Sequence, residues 1–297
     1  MDTTKHIKVD FTEIQDTAYK GVRRTAVFMG LGLNAATDPK FKRYQLSEIT
    51  HMQFIPEKVS DETVLHFKTE FGRWIVACGL RELIETFSVF LDKIHEACLL
   101  MAVSQGKMTH KLALEHHNSF LWKGFTEKMK TLHERFGVYS QYNDHLGTVQ
   151  LVRNCYTHRR GIVGKADCGD SQQLELRWIG MDVYIETTDG DIINLNLPLQ
   201  EGVCVEKGGT VKVKSAERKR SFQLGTVVDI PPKELAEICT LILWATNEIT
   251  KSAFAYAKSI GIPNDNSLSA SVPTQQDAAT DTGAINSHEQ DTGTSAT

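Results

Sequence analysis

The feature that most constrains the fold is a helical repeat of apolar side chains over residues 60–104. Ser60 is a good N-cap residue, and Asp61 and Glu62 place negative charge in the first turn, where it suits the helix dipole. The apolar stripe continues at helical spacing through Phe71, Ile75, Cys78, Phe87, Leu91, Ile94 and Cys98. We therefore expect one long helix that runs to Ser104.

Other stretches of the chain have the same period. Apolar residues predict a first helix over residues 10–35, followed by a loop over residues 34–43. A pattern that starts after Gly106 ends at Gly137, a suitable residue just past a helix, and predicts a second long helix. The connection between these two long helices is short, so they should pack antiparallel. A helix over residues 142–160 and a last one, opened by Pro231-Pro232, complete the predicted bundle.

The period changes to two within residues 173–228, where apolar and polar side chains alternate and Asp189-Gly190 forms a predicted hairpin turn. The predicted fold class is therefore mainly α, a helical bundle with a small inserted antiparallel β-sheet, or α+β overall. We expect residues 1–263 to form a single domain, with a short strand or connector over residues 48–56. Residues 264–297 contain almost no large apolar side chains and are expected to be a disordered tail.

Cysteine usage and hydropathy bear on the compartment. The six cysteines include no C-x-x-C pair and lack the dense spacing of a disulfide-stapled domain, which favours a reduced cytoplasm. The first ten residues are too charged for a signal peptide, and no apolar run is long enough to span a bilayer. The sequence therefore predicts a soluble, cytoplasmic protein that does not enter a membrane. Its net charge of -4 is too small to identify a partner.

Polar side chains collect on one part of the helix predicted over residues 142–160. At about 100° per residue, Arg153 falls at the margin of the apolar stripe, whereas Asn154 and His158 lie on the neighbouring face with Gly147 below them. A guanidinium at an apolar margin needs a partner, because an unpaired buried charge is costly and Arg keeps its proton. That partner could be an anion such as phosphate.

Positive charge continues at the same end of the helix. Arg159 and Arg160 follow the histidine directly, where cations also suit the helix dipole. A simpler interpretation remains open. In it, Arg153 pairs with a carboxylate of the long helix, either Glu82 or Glu85, and the histidine only caps the helix end.

Residues 151–163, Leu-Val-Arg-Asn-Cys-Tyr-Thr-His-Arg-Arg-Gly-Ile-Val, resemble a known family. They are similar to the Arg-Asn-x-x-x-His helix of the HEPN superfamily, a group of helical nucleotide-binding domains, many of which cleave RNA. The final Gly-Ile-Val also looks like the continuation found in bacterial members. The resemblance covers about 13 residues closely and the preceding helices only in their architecture.

The resemblance implies a metal-independent RNA endonuclease without a cofactor, usually a homodimer, in which two motif helices face each other and form one composite site. His158 would act as general acid or base, Arg153 would stabilise the phosphorane, and Asn154 would orient the histidine or the phosphate. The product would be a 2′,3′-cyclic phosphate. Such enzymes often serve as toxins or phage-defence effectors, so an antitoxin or regulatory protein is a possible partner. The alternatives are a catalytically inactive nucleotide- or protein-binding module and a purely structural interaction protein.

A second group of cations lies in the predicted sheet. Its members are Lys207, Lys212, Lys214, Arg218, Lys219 and Arg220. They could bind an RNA backbone, as could Arg159 and Arg160. They could equally be solvated charges that discourage strand pairing at a sheet edge. Metal ligands are not predicted, because Glu115-His116-His117 and His95-Glu96 are adjacent residues that point apart on a helix.

Overall fold

The computed structural model describes residues 8–41, 59–195 and 208–263. The chain divides into two units, Met1–Ile262 and Pro263–Thr297. The predicted connector over residues 48–56, the tail over residues 264–297 and Lys207 lie outside the described residues. All the helices and strands of the described residues belong to the first unit.

The described residues form a mainly helical fold with a three-stranded antiparallel sheet, which confirms the predicted fold class. In chain order the elements are α1 (Phe11–Thr37), α2 (Asp61–Ser104), α3 (His110–Leu121), α4 (Phe125–Phe136), α5 (Asn143–Arg159), α6 (Lys165–Cys168), a 3-10 turn (Gly169–Ser171), β1 (Gln173–Thr187), β2 (Ile192–Asn194), β3 (Gly209–Gln223) and α7 (Pro232–Ser259).

The long helix α2 ends at Ser104, as the sequence predicts, and it contacts α1, α3, α4, α5 and α7. Its N-cap is Ser60, whose side chain accepts a hydrogen bond from the Thr63 N–H at 3.2 Å. The helix packs closely along α1, and glycines make this possible, since a Cβ on Gly21 would collide with Thr86 of α2. The first helix continues to Thr37, so the loop predicted from residue 34 begins four residues later.

The single helix predicted after Gly106 is wrong, because the chain breaks into α3 and α4 between residues 121 and 125. Phe120 and Phe125 are both buried, but in one continuous helix they would point about 140° apart. The break lets both rings reach α2. The Phe120 ring stacks on His95 with centroids 3.8 Å apart, and the Phe125 ring lies 5.7 Å from Phe87. Burying both rings is worth more than the few helical hydrogen bonds lost at the turn.

The sheet has the strand order β2-β1-β3, and Asp189-Gly190 forms the turn that leads into β2, with Gly190 at a φ of 89°. In the first half of β1, Leu174, Leu176 and Trp178 are buried, and the Trp178 indole N–H donates to Glu237 of α7 at 2.6 Å. The sheet is therefore fixed to the last helix. In the part of the chain that the structure describes, no helix is both long enough and apolar enough to span a membrane.

Candidate active site

The motif helix α5 ends just after the histidine of the motif. Arg160 has a φ of 53° and Gly161 a φ of 78°, so two residues in left-handed conformation stop the helix. The Gly161 N–H donates to the Cys155 carbonyl at 3.2 Å, which closes the last turn. The motif therefore occupies the final two turns of α5.

One side of α5 is fixed firmly in the core. Leu146, Val149, Val152 and Cys155 are fully buried, and Tyr156 donates a hydrogen bond to the Val228 carbonyl at 2.8 Å. Because these contacts hold the buried side of α5, its polar side has little freedom to shift.

The same helix also covers a free edge of the sheet. Among the described strands, β2 pairs only with the end of β1, so the N–H of Arg177 has no described strand partner on that side. It donates instead to the hydroxyl of Thr148 on α5 at 2.9 Å. This bond fixes the position of α5 relative to β1.

Arg153 lies half-buried between α5 and α2, with 20% of its side chain exposed. Its Nη1 donates to Asn154 Oδ1 at 3.2 Å, and its Nη2 donates to Glu85 Oε1 at 3.4 Å. The Nε donor is buried and has no hydrogen-bond partner among the described residues. The carboxylate itself is half-exposed and lies 3.9 Å from the Nε of a second arginine, Arg81. The guanidinium is therefore anchored, but its charge is only weakly compensated.

Asn154 orients this arginine. Its Oδ1 accepts from Arg153 and also from Gln150 Nε2 at 3.1 Å, one turn earlier on the same face. With the oxygen so engaged, the amide nitrogen carries two donors that face away from these contacts. Sequence reasoning missed Gln150, although its i, i+4 spacing from the asparagine could have identified it.

His158 lies on the exposed face of α5, and its imidazole makes no hydrogen bond to any residue that the structure describes. Asn154 is its neighbour one turn below, at a Cβ separation of about 5–6 Å in a helix. Farther down the same face, a Cβ added to Gly147 would meet no atom within 4 Å. Leu151 beside it is 43% exposed. This face of α5 is open in the single chain.

Arg159, predicted to bind RNA, is engaged in a structural ion pair. Its Nε donates to Asp167 Oδ2 at 2.6 Å, and a second guanidinium nitrogen contacts the other oxygen. Only 2% of the Asp167 side chain is exposed. Burial alone would raise the pKa of this carboxyl, but the hydrogen bonds from Arg159 and from the Gly164 N–H hold it below its usual range. The pair joins α6 to α5, so this guanidinium is not free for a ligand.

The other predicted RNA-binding cations are mostly paired as well. Lys212 contacts Glu186, Arg218 contacts Asp182, Lys219 contacts Glu175, and Arg220 binds Glu234 with two hydrogen bonds. Within the described ranges, only Lys214 and Arg160 of the predicted set make no ion pair. Most of the positive charge of the sheet is therefore neutralised within the chain.

Two further observations concern possible metal or nucleophile chemistry. No group of three or more His, Cys, Asp or Glu side chains in residues 8–41, 59–195 and 208–263 is arranged to hold a metal ion. Cys155, inside the motif, is fully buried, and burial together with the nearby Asp167 raises the pKa of its thiol to about 11. The thiol is thus a packing group of the core.

Comparison of this chain with models of protein families, with curated proteins and with solved structures gives no match.

Proposed function

We propose that this protein is an RNA endonuclease that works without a metal ion and whose active site is completed by α5 of a second copy. One observation carries the proposal. An anchored guanidinium, that of Arg153, lies at the boundary between α5 and α2, and an exposed imidazole, that of His158, lies on the neighbouring open face of the same helix. The resemblance of residues 151–163 to the HEPN motif supports the same assignment.

The chemistry needs two imidazoles and one cation. The ribose 2′-oxygen attacks the phosphorus while His158 of one copy takes the hydroxyl proton. The bond from phosphorus to the 5′-oxygen breaks, and His158 of the second copy donates a proton to that leaving oxygen. The products are a 2′,3′-cyclic phosphate and a 5′-hydroxyl. An imidazole suits both roles because it accepts or donates a proton near neutral pH.

Arg153 would stabilise the charge that builds on the phosphorane. Its contact with Glu85 is long, at 3.4 Å, and the carboxylate is 54% exposed. Exposed ion pairs of this kind contribute only about 0–1 kcal/mol, so an incoming phosphate can displace the carboxylate. The two amide donors of Asn154 are then in place to bind a phosphate oxygen.

The alternative is a module that binds nucleotides or proteins through the same face without cleaving RNA. Two contacts favour it. Glu85 already compensates part of the charge of Arg153, and the Asn154 oxygen faces the arginine and Gln150 rather than the histidine. Under this alternative, substitutions in the motif weaken binding, but no new RNA ends form with the wild-type protein.

The test is a cleavage assay with purified protein and total cellular RNA, with and without a chelator. Arg153→Ala and His158→Ala should each reduce the rate by about 10²-fold or more, and the chelator should have no effect. Arg81→Ala is the matched control, because it removes the other cation beside Glu85. Thr157→Ala is the control for the histidine, since it changes the adjacent exposed residue of α5.

The outcomes separate the two proposals. Cleavage that survives in Arg153→Ala or His158→Ala, while the controls behave like wild type, contradicts the assigned roles. Cleavage that stops with chelator contradicts the metal-free mechanism. RNA binding without cleavage by the wild-type protein supports the binding module instead. All variants should remain folded, because His158 is exposed and the ion pair that Arg153→Ala removes contributes only about 0–1 kcal/mol.

A role as a toxin or phage-defence effector follows from the same resemblance. Induced expression of the wild-type chain should then arrest growth of a bacterial host, whereas His158→Ala should not. A neutralising partner protein would restore growth when the two are expressed together. Equal growth with both chains would contradict the toxin role and leave the cleavage assay unaffected.

A further inference from the structure

A polar cavity lies between α3 and α4, away from the motif helix. Its volume is about 380 Å³. The residues that line it are His116, Ser119, Phe120, Lys123, Thr131, Glu134 and Arg135. Most of these side chains are polar or charged, and two of them are permanent cations. A cavity of this size and lining is large enough for a small ligand rather than for water alone.

The two cations are held in place by neutral groups. Lys123 Nζ donates to the Thr131 hydroxyl at 2.7 Å, and that hydroxyl donates in turn to the Glu127 carbonyl at 2.7 Å. Arg135 Nη2 lies 3.0 Å from both ring nitrogens of His116. Each cation therefore has donors left over, because an ammonium has three N–H bonds and a guanidinium five.

Neither Lys123 nor Arg135 makes an ion pair with a carboxylate of residues 8–41, 59–195 or 208–263. Glu134 is the one carboxylate in the lining, and it pairs with neither of them. The cations of the sheet, by contrast, are mostly neutralised by acidic neighbours. The α3–α4 cavity therefore keeps an excess positive charge in a partly enclosed space, where charge acts more strongly than on an open surface.

The imidazoles nearby respond to this charge. Burial, and then the charge of Arg135, lower the pKa of His116, and the nearby carboxylate of Glu115 offsets only part of this effect. Behind the cavity wall, burial and the charges of neighbouring groups, Arg135 and Lys123 among them, lower the pKa of His95 to about 3.

We propose that the α3–α4 cavity binds a phosphate group. Lys123 and Arg135 supply the charge and four or more N–H donors, and the exposed hydroxyl of Ser119 adds one more at the wall. The remaining volume accommodates a small organic group attached to the phosphate. The phosphate comes from a small ester such as a nucleoside monophosphate, or from the backbone of an RNA strand that crosses the opening. This site shares no residue with the motif helix and does not depend on the cleavage proposal.

The test is isothermal titration of the full-length wild-type protein at low salt with three probes. These are inorganic phosphate, adenosine 5′-monophosphate and a 2′-O-methyl RNA oligomer, which cannot be cleaved by attack of its 2′-oxygen. The test variant is Lys123→Gln with Arg135→Gln. The matched control is Lys111→Gln with Lys130→Gln, which removes the same charge from exposed positions of the same two helices outside the cavity.

The expected result is binding of at least one probe by the wild type, weakened at least about tenfold in the test variant and little changed in the control. Inorganic phosphate and the monophosphate bind at one site per chain if the source is a small ester. The oligomer alone binds if the source is RNA. Absence of binding by any of the probes overturns the proposal, and so does an equal loss in the test and control variants.

A second variant tests the site in case the double substitution unfolds the protein. Ser119→Glu leaves both cations in place and adds a carboxylate to the cavity wall, at an exposed position of α3. It should abolish binding of inorganic phosphate at an unchanged melting temperature. Wild-type binding in this variant contradicts the site, whatever the outcome for the double variant. None of these readouts involves RNA cleavage, so failure of the cleavage proposal would be recognised separately.

Discussion

Gly147 gives the sharpest test of whether α5 faces a second copy of itself. It lies inside the helix, in the middle of the open face, and a Cβ there would meet nothing within 4 Å. Glycine inside a helix costs about 0.5–1 kcal/mol relative to alanine. Gly147→Ala should therefore stabilise the single chain, and for a domain of this size the melting temperature should rise by about 1–4 °C.

Gly147→Leu uses the same space to block assembly. The folded chain has room for the side chain, and leucine favours the helix, so the stability of the single chain should not fall. Between two α5 helices packed about 8–10 Å apart, the extra atoms have nowhere to go. Overpacking costs about 1–3 kcal/mol at each site, and a symmetric pair contains the site twice. The dimer should weaken by on the order of 30-fold to 10⁴-fold.

Sedimentation over a range of protein concentrations measures the dimer, and the RNA cleavage assay at the same concentrations measures the site. We expect Gly147→Leu to lose both together, while Gly147→Ala stays close to wild type. A leucine variant that remains dimeric and cleaves normally refutes the reasoning that places α5 at the interface. A leucine variant that is monomeric but cleaves at the wild-type rate refutes the composite site alone.

Three other substitutions test individual contacts. Glu85→Gln removes the carboxylate that competes for Arg153 and should tighten binding of 2′-O-methyl RNA in an anisotropy titration, whereas unchanged affinity would show that the pair does not compete. Arg159→Met leaves Asp167 buried without its cation and should lower the free energy of unfolding in urea by about 3 kcal/mol at pH 7. Because the folded-state pKa of the Asp167 carboxyl is depressed, the wild type loses this stabilisation as the pH falls below about 3.9. The free energy of unfolding of the variant should decrease less over the same pH range. The free energy of unfolding of the wild type should fall by about 2 kcal/mol between pH 7 and pH 5, because the unfolded chain takes up a proton near pH 6.5 and the buried His95 ring, with a pKa of about 3, does not. His95→Phe should abolish this decrease. Equal pH dependence in both proteins would contradict that assignment.

Local signals in the sequence were sufficient to predict a helix end where that end is determined by its own residues. The cap at Ser60 and the stop after His158 follow from side-chain and backbone preferences that act within one turn. The break after α3 could not be predicted in this way. Apolar residues continue at helical spacing through residues 106–136, and only the position of α2 decides that Phe120 and Phe125 must both turn towards it.

The contacts around the motif likewise could be predicted only in part from the local sequence. The helical wheel predicts Arg153 at the edge of the core, and that position is confirmed, but the sequence leaves Glu82 and Glu85 as equal candidates for its partner. The choice depends on a third helix. Arg24 of α1 pairs with Glu82, which leaves Glu85 to the motif arginine. The pairing of the cations in the sheet likewise requires the register of β1 against β3, which no local pattern specifies.

The size of α5 bears on how a dimer could form. The helix has 17 residues, so at a rise of about 1.5 Å per residue and a width of about 10 Å its open face offers about 250 Å². A stable interface buries about 800 Å² on each partner, so the proposed dimer must also use the neighbouring elements. The exposed side of α2 is the adjoining surface, because it carries Glu85, which contacts Arg153, and Val89, which is 48% exposed one turn farther on. A second copy seated on both helices would therefore cover the ion pair of the motif arginine. Assembly would then remove water from that pair and strengthen the electrostatic interaction of the arginine with a phosphate held between the two chains.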